Sequence, residues 1–199
     1  MTMPLGTTES DLVTGPDNHA RCRWCVGDPL YQKYHDEEWG IPVTSDRTLF
    51  EKICLEGFQS GLSWLTILKR RENFRTAFAN FEFVEIAGWS AKQVDRLVLD
   101  ASIIRHRGKI EATINNAARA IEMQEAEGSL SDFFWQFQPA SDSIPTLFAD
   151  VPAITEESTL MSKELKKRGW KFVGPTTCYA FMQAMGIVND HLLGCSFRR

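Results

Sequence analysis

Leu49-Phe-Glu-Lys-Ile-Cys-Leu-Glu56-Gly-Phe-Gln-Ser-Gly61-Leu-Ser-Trp64 is the stretch on which the fold of this chain turns. Phe50, Ile53, Cys54 and Gly57 recur at i, i+3, i+4 and i+7, with Leu49 beside them, which is the period of an amphipathic helix burying one face. Thr44, Ser45 and Asp46 stand just before it, and any of the three can cap its first amides. Glu56 follows Leu49 by seven positions and Ile53 by three, so its carboxylate falls on or beside the apolar stripe. A buried carboxylate is costly without a partner, so it is either shielded by donors or set to meet a ligand. A glutamate at the stripe's edge reaching water is the competing reading. Gly57, Gly61 and Trp64 weigh towards a site, because they put close backbone approach and an aromatic face next to the acid.

Outward from this helix, the same period predicts a mostly helical chain. Before it, Tyr31, Tyr34 and Glu38 share one helical face and His35 and Trp39 another, up to the break at Gly40 and Pro42. After it, residues 65–78 read as one amphipathic helix with a basic outer face, and residues 81–89 as loop and a short helix. A helix starts at Ser90 and runs to Ala101, the pattern breaks over residues 102–110, and a further helix runs through Ala112, Ala117 and Ile121. Residues 128–154 read as a short helix and a surface loop, residues 158–169 as a helix, and Pro175 or Thr176 as the start of the last one. No run alternates with period two for long, so the fold class is all-α.

At 199 residues the chain can bury one good core, as one domain or two small lobes. Its formal net charge of -4 gives no global pull towards nucleic acid, so such a partner has to be met by a local patch. Lys69, Arg70, Arg71 and Arg75 form one candidate, Arg105, His106, Arg107 and Lys109 a second, and Lys163, Lys166, Lys167, Arg168 and Lys171 a third, a solvated helix face being the commoner explanation for any of them. A short Gly-containing basic turn between two helices suits a phosphate, although an ordinary helical hairpin with a basic tip has the same letters. Residues 1–20 lack the apolar core of a secretion signal and read as a flexible tail ahead of a domain over residues 21–199. No apolar run approaches a membrane span. Five cysteines without an export signal argue for a reducing, cytoplasmic setting.

His191 and Cys195 are four apart, which on a helical turn brings both side chains to one side, and Cys22 and His35 supply the same pair near the other end. Two Cys and two His suit a closed tetrahedral zinc site of the structural kind. Cys25 is a rival ligand beside Cys22, and the spacing is not that of a zinc finger.

Taken together, Cys22-Arg-Trp24, Asp28-Pro-Leu-Tyr31, Tyr34-His35-Asp36-Glu-Glu-Trp39-Gly40, Ile53-Cys-Leu-Glu56-Gly, Gly61-Leu-Ser-Trp64, Ile103-Ile-Arg-His-Arg-Gly-Lys109-Ile, Leu165-Lys-Lys-Arg-Gly-Trp-Lys-Phe-Val-Gly174 and Val188-Asn-Asp-His191 with Cys195 resemble one family. That family is DNA-3-methyladenine glycosylase I, of the helix-hairpin-helix DNA glycosylase superfamily. The resemblance implies a two-lobed helical fold in which a structural zinc on Cys22, His35, His191 and Cys195 joins the chain ends. It implies that Glu56 hydrogen-bonds the excised base with Tyr34 as a second polar contact, that Trp64 stacks on it, and that Tyr31, Trp24 and Trp39 complete an aromatic wall. Gln59, Gly61 and Leu62 would belong to a wedge entering the DNA, and Arg105, Arg107, Gly108 and Lys109 to a hairpin gripping phosphates. The implied activity is base excision repair: a monomer that flips 3-methyladenine out of double-stranded alkylated DNA and hydrolyses its glycosidic bond without cutting the strand. Two positions depart from the pattern: Ser102, where the hairpin often has Gly, and the extra thiol of Cys25.

Overall fold

A computed structural model of the chain describes residues 10–141 and 143–199. Two short strands, β1 (Leu12–Thr14) and β2 (Ala20–Cys22), pair antiparallel with Leu12 opposite Cys22. The expected flexible tail therefore ends sooner than its composition suggests: residues 12–14 are held by a partner strand, and residues 1–9 lie outside the described part. The other elements among the described residues are α-helices and 3-10 turns, in keeping with the all-α class.

Asp28 caps α1 (Pro29–Glu37), accepting from the amides of Leu30 and Tyr31, and proline at the first position costs it nothing there. Of the three candidate caps for α2 (Asp46–Gln59), Ser45 is the one used, its hydroxyl accepting from the Thr48 amide. Residues 49–58 of α2 are all buried, so the helix is not amphipathic in the expected sense but is the central rod of the molecule. The basic segment after it is not one helix: α3 (Trp64–Leu68) and α4 (Arg71–Ala77) are separated at Lys69 and Arg70, where the chain turns. Periodicity carried through the turn because both pieces bury apolar residues, Ile67 and Leu68 in one, Phe74 and Ala77 in the other.

α5 (Phe83–Ala87) and α6 (Ala91–Leu97) lead through a turn at residues 98–106 into the long α7 (Arg107–Glu127). α8 (Leu130–Trp135) is tied to α2 by Asp46, whose carboxylate accepts from the amides of Leu130 and Ser131. Negative charge at that helix start also suits its dipole. α9 (Glu156–Lys167) begins at a Thr155/Ser158 capping box, and α10 (Pro175–Ala184) begins at proline as expected.

The main core fills with large side chains, Phe50, Phe58, Phe74, Phe78, Phe134 and Phe181 among those wholly buried. A separate small cluster of Cys22, Leu192 and Cys195 sits where the two chain ends meet. The link between that end and α10 passes Gly186, whose φ of +69° is a left-handed conformation. A β-carbon there would lie 2.5 Å from the carbonyl carbon of Ile41 and the nitrogen of Pro42. Gly186→Ala is therefore expected to cost about 2–4 kcal/mol from strain and overpacking, lowering Tm by roughly 10 °C. An unchanged melting curve would mean that the Ile41–Pro42 backbone yields freely.

Candidate active site

Tyr31, Tyr34 and His35 fall at i, i+3 and i+4 of α1 and share one face. Trp24, from the turn after β2, packs on Tyr31 at 4.8 Å and on Trp39 at 5.0 Å between ring centroids. Tyr34 in turn meets Trp64 at 5.5 Å, so the aromatic residues picked out from the sequence form one continuous wall. The wall bounds a cleft of about 380 Å³, closed on the other side by Phe148, Val151 and Pro152 and by the α10 side chains Tyr179 and Gln183. Sequence reasoning passed over this second side, reading residues 128–154 as a short helix and a surface loop and giving the last helix no part in a site. Asp190 also reaches the cleft; it is buried and accepts hydrogen bonds from Tyr179 and Gln183.

Glu56 does not reach water. It is 5% exposed, and its carboxylate meets the Lys52 ammonium at 2.9 Å, one helical turn back on α2. Lys52 Nζ donates to the Tyr34 hydroxyl at 2.8 Å and lies 3.2 Å from the Trp64 ring centroid. An acid, a phenol and an indole face thus converge on one positive charge. Burial, together with the negative charge of Glu56, holds the Tyr34 phenol protonated well above its ordinary range, and Tyr31 is pushed up to about 12 for the same two reasons. Burial outweighs the pull of Glu56 at Lys52 and lowers it to about 8. Lys52 was missed because a lysine four residues from a glutamate usually marks a solvated helix face.

Tyr34 and Trp64 are too close, and at 46° too tilted, for a planar base to slide between them. A ligand has to come against them from the cleft.

The loop after α2 turns at Gly61, φ +84°, and leaves Leu62 exposed at its tip, with Gln59 donating to the Leu62 carbonyl. Lys109, expected at the phosphates, faces inward instead. It is 7% exposed and its ammonium donates to the carbonyls of Phe58 (2.9 Å) and Ser60 (2.7 Å), closing the C-terminal end of α2. Arg105 and Arg107 are exposed at the start of α7, Arg107 pairing with Asp95, and Gly108 sits against the His106 ring. The loop and the helical hairpin are thereby bolted together on one side of the molecule. Ser102 is accommodated by donating, through both amide and hydroxyl, to Asp100.

Cys22, His35, His191 and Cys195 are all buried, and their ligand atoms lie within 4.8 Å of one another. The reason for the last pair is not the helical turn anticipated: residues 188–199 are irregular chain with short turns, and a bond from the Cys195 amide to the Leu192 carbonyl folds the thiol back towards His191. His191 has Nε2 3.0 Å from the Trp39 carbonyl, which can only accept; the proton is therefore on Nε2 and the Nδ1 lone pair faces the cluster, 3.3 Å from Cys195 Sγ. His35 has Nδ1 2.8 Å from Asp36, itself held by Arg21, and turns Nε2 to Cys195. Oriented imidazoles with carboxylate or carbonyl partners behind them are what a metal-binding set requires. Cys25, the rival ligand, is buried and directs its thiol to the Cys22 carbonyl, outside the set.

Residues 24–199 match the family model described as methyladenine glycosylase. DNA-3-methyladenine glycosylase 1 of Escherichia coli (strain K12) is 53% identical over 178 residues, 88% of this chain and 95% of its own. A crystal structure of 3-methyladenine DNA glycosylase I is 49% identical and superposes with a TM-score of 0.87, covering 90% of this chain and 100% of the other. A variant of 3-methyladenine DNA glycosylase I solved in complex with 3-methyladenine has a TM-score of 0.87 at 36% identity, covering 90% and 97%. With an acid among aromatic rings beside a cleft and these likenesses over nearly its whole described length, the chain belongs to the methyladenine glycosylase family.

Proposed function

We propose that this chain is a base excision repair enzyme that extrudes 3-methyladenine from double-stranded alkylated DNA and hydrolyses its N-glycosidic bond, leaving the strand intact. The observation that carries the reading is the convergence of Glu56, Tyr34 and Trp64 on one cation. Methylation at N3 makes adenine in DNA positively charged and already a good leaving group. Such a base needs no strong acid; it needs a place that favours a cation and reads a purine. Glu56 accepts a hydrogen bond from the base, Tyr34 makes a second polar contact, and Trp64 stacks on it, cation–π contact being worth up to about 2 kcal/mol in a dry site. Tyr31, Trp39 and Trp24 complete the wall. Rotating a base out of a duplex costs a few kcal/mol, which these contacts offset.

In this reading Leu62, with Gln59 and Gly61, wedges into the gap left by the extruded base, and Arg105, Arg107 and the Gly108 amide at the start of α7 meet backbone phosphates. Lys109 acts one step back, holding the wedge loop to the hairpin rather than touching DNA. The acids after the hairpin receive no role: Glu122 is paired with Arg119 and Glu127 with Arg168. The metal in the Cys22, His35, His191, Cys195 cluster is zinc, since two thiolates and two imidazoles fill a tetrahedral shell and leave no open position for chemistry. One chain carries the acid, the aromatic wall, the wedge and the hairpin, and in this reading the enzyme works as a monomer. Its five free, buried cysteines fit a reducing compartment, and no helix of the described residues is long and apolar enough to cross a membrane.

The test is chromatography of bases freed from methylated duplex DNA, with the same DNA run on a denaturing gel. Free 3-methyladenine and uncut strands are expected. Damage-independent binding with no free base would make the chain a DNA-binding module instead.

A further inference from the structure

We propose that Lys52 is a specificity-determining residue: an internal cation that occupies the Glu56, Tyr34 and Trp64 corner in the free enzyme and must leave it before a cationic base can bind. The inference rests on reading that corner as the base site. Its geometric basis is that all three partners meet at one point and the ammonium is at that point, 2.9 Å from Glu56, 2.8 Å from the Tyr34 hydroxyl and 3.2 Å from the Trp64 centroid. A methylated purine reading the same three groups puts its own positive charge where the ammonium now sits. Two like charges cannot share a buried corner in which one carboxylate, Glu56, is the acid in contact, Glu38 and Glu51 being paired with Arg71 and Arg75.

The structure offers the ammonium two ways out. A cavity of about 40 Å³ adjoins Lys52 on the side of Glu38, Glu51 and Met185, large enough for a displaced side-chain end. The other way is loss of a proton to solvent, after which the neutral amine no longer competes for Glu56. Titratable groups facing Lys52 are Tyr34 of α1 and Glu38 just after it, Glu51 and Glu56 of α2, and Arg71 and Arg75 of α4. Arg71 is committed to Glu38 at 2.9 Å and Arg75 to Glu51 at 2.8 Å, and the Tyr34 and Tyr31 phenols stay protonated. Lys52 itself loses its proton near pH 8 because burial disfavours the ammonium. The sign follows: below that pH the corner is blocked by a charge, and above it the block is lifted.

The experiment measures 3-methyladenine release as kcat/KM against pH for the wild type, Lys52→Met and Lys52→Arg, with Tm for each. For the wild type, kcat/KM rises by up to about tenfold per pH unit on the acid side and levels off beyond the Lys52 transition. Lys52→Met keeps the side chain's length and removes its charge, so its profile is flat and close to the wild-type plateau, with the gain at low pH appearing in KM. Lys52→Arg stays charged throughout and remains low across the range. It also keeps a partner for Glu56, so it carries the comparison should Lys52→Met fail to fold. A Lys52→Met enzyme that folds and keeps the wild-type rise, or that is slower than the wild type at every pH, overturns the proposal, as does a Lys52→Arg enzyme with the wild-type profile. If the wild type frees no base at any pH, it is the glycosylase reading that fails.

Discussion

Glu56→Gln is expected to lower kcat/KM for release of 3-methyladenine by roughly 30- to 150-fold, the loss of a charge-assisted hydrogen bond of about 2–3 kcal/mol. The substitution keeps the shape of the side chain and removes the charge that a cationic base seeks. It also removes the partner of Lys52, whose side chain is only 6% exposed. Breaking a buried pair from one side costs about 3–5 kcal/mol, because the remaining charge is uncompensated. The variant is thus expected to melt lower than the wild type. Without Glu56 the folded-state pKa of Lys52, already depressed to about 8, drops further below its unfolded value. The stability missing relative to the wild type is therefore most evident in acid and is recovered as pH rises through the variant's lowered pKa to about 8, where Lys52 loses its proton in the folded wild type as well. Loss of activity and loss of stability are separated by the double variant Lys52→Met with Glu56→Gln, which has no buried charge to leave unpaired. Its melting temperature should return towards the wild-type value while release stays low. Wild-type release from that stable double variant would remove Glu56 from the mechanism.

That a double variant is needed shows where the letters of the chain stop being informative. The helix around Glu56 was legible because the apolar period is local, but its register put the acid only on or beside the buried stripe and left a water-facing edge open as the competing reading. Burial of Glu51 and Lys52 on the same helix was not legible, since their partners Arg75 and Tyr34 come from other helices and only the fold brings them close. The helix break at Lys69 and Arg70 escaped because amphipathic period runs unbroken through a turn when both halves face one core. The four cysteine and histidine residues were grouped correctly, yet the helical turn invoked for His191 and Cys195 is absent; four residues of turn reach as far as four of helix. Lys109 illustrates the commonest ambiguity. A lysine at a helix start reads as a surface charge, and nothing in its neighbours tells that two orphan carbonyls at the end of α2 draw it inward.

Removing the zinc proposed for the Cys22, His35, His191 and Cys195 cluster is expected to lower Tm by roughly 10 °C, corresponding to about 3–5 kcal/mol for a chain of this size. The small cluster at the chain ends explains why the effect is large. Apart from Cys22, Leu192 and Cys195 it has only partly buried neighbours such as Leu12, Trp24 and Phe197, too little apolar surface to hold β1, β2 and the last residues by burial alone. Other ties across this junction are hydrogen bonds of Ser196 with the backbone of Ala20, the His191 bond to the Trp39 carbonyl, and the packing of the half-buried Phe197 on His19, Arg21 and His35. The proposed zinc ion would replace four weak contacts by four bonds, and its binding energy would be folding energy for that end of the chain. Melting should begin there, with amide protection lost first in residues 11–35 and 188–199 and retained along α7, whose Ile110, Ala117 and Ala120 are in the main core. Because Trp24, Tyr31 and Trp39 are carried by the same junction, base release should fall together with stability and return when zinc is added back. Purified protein with no stoichiometric zinc, or a chelated form with unchanged Tm, would end the structural assignment. A chelated form as stable as before but inactive would move the ion from scaffold to chemistry, against the closed shell that zinc on these four buried side chains would have.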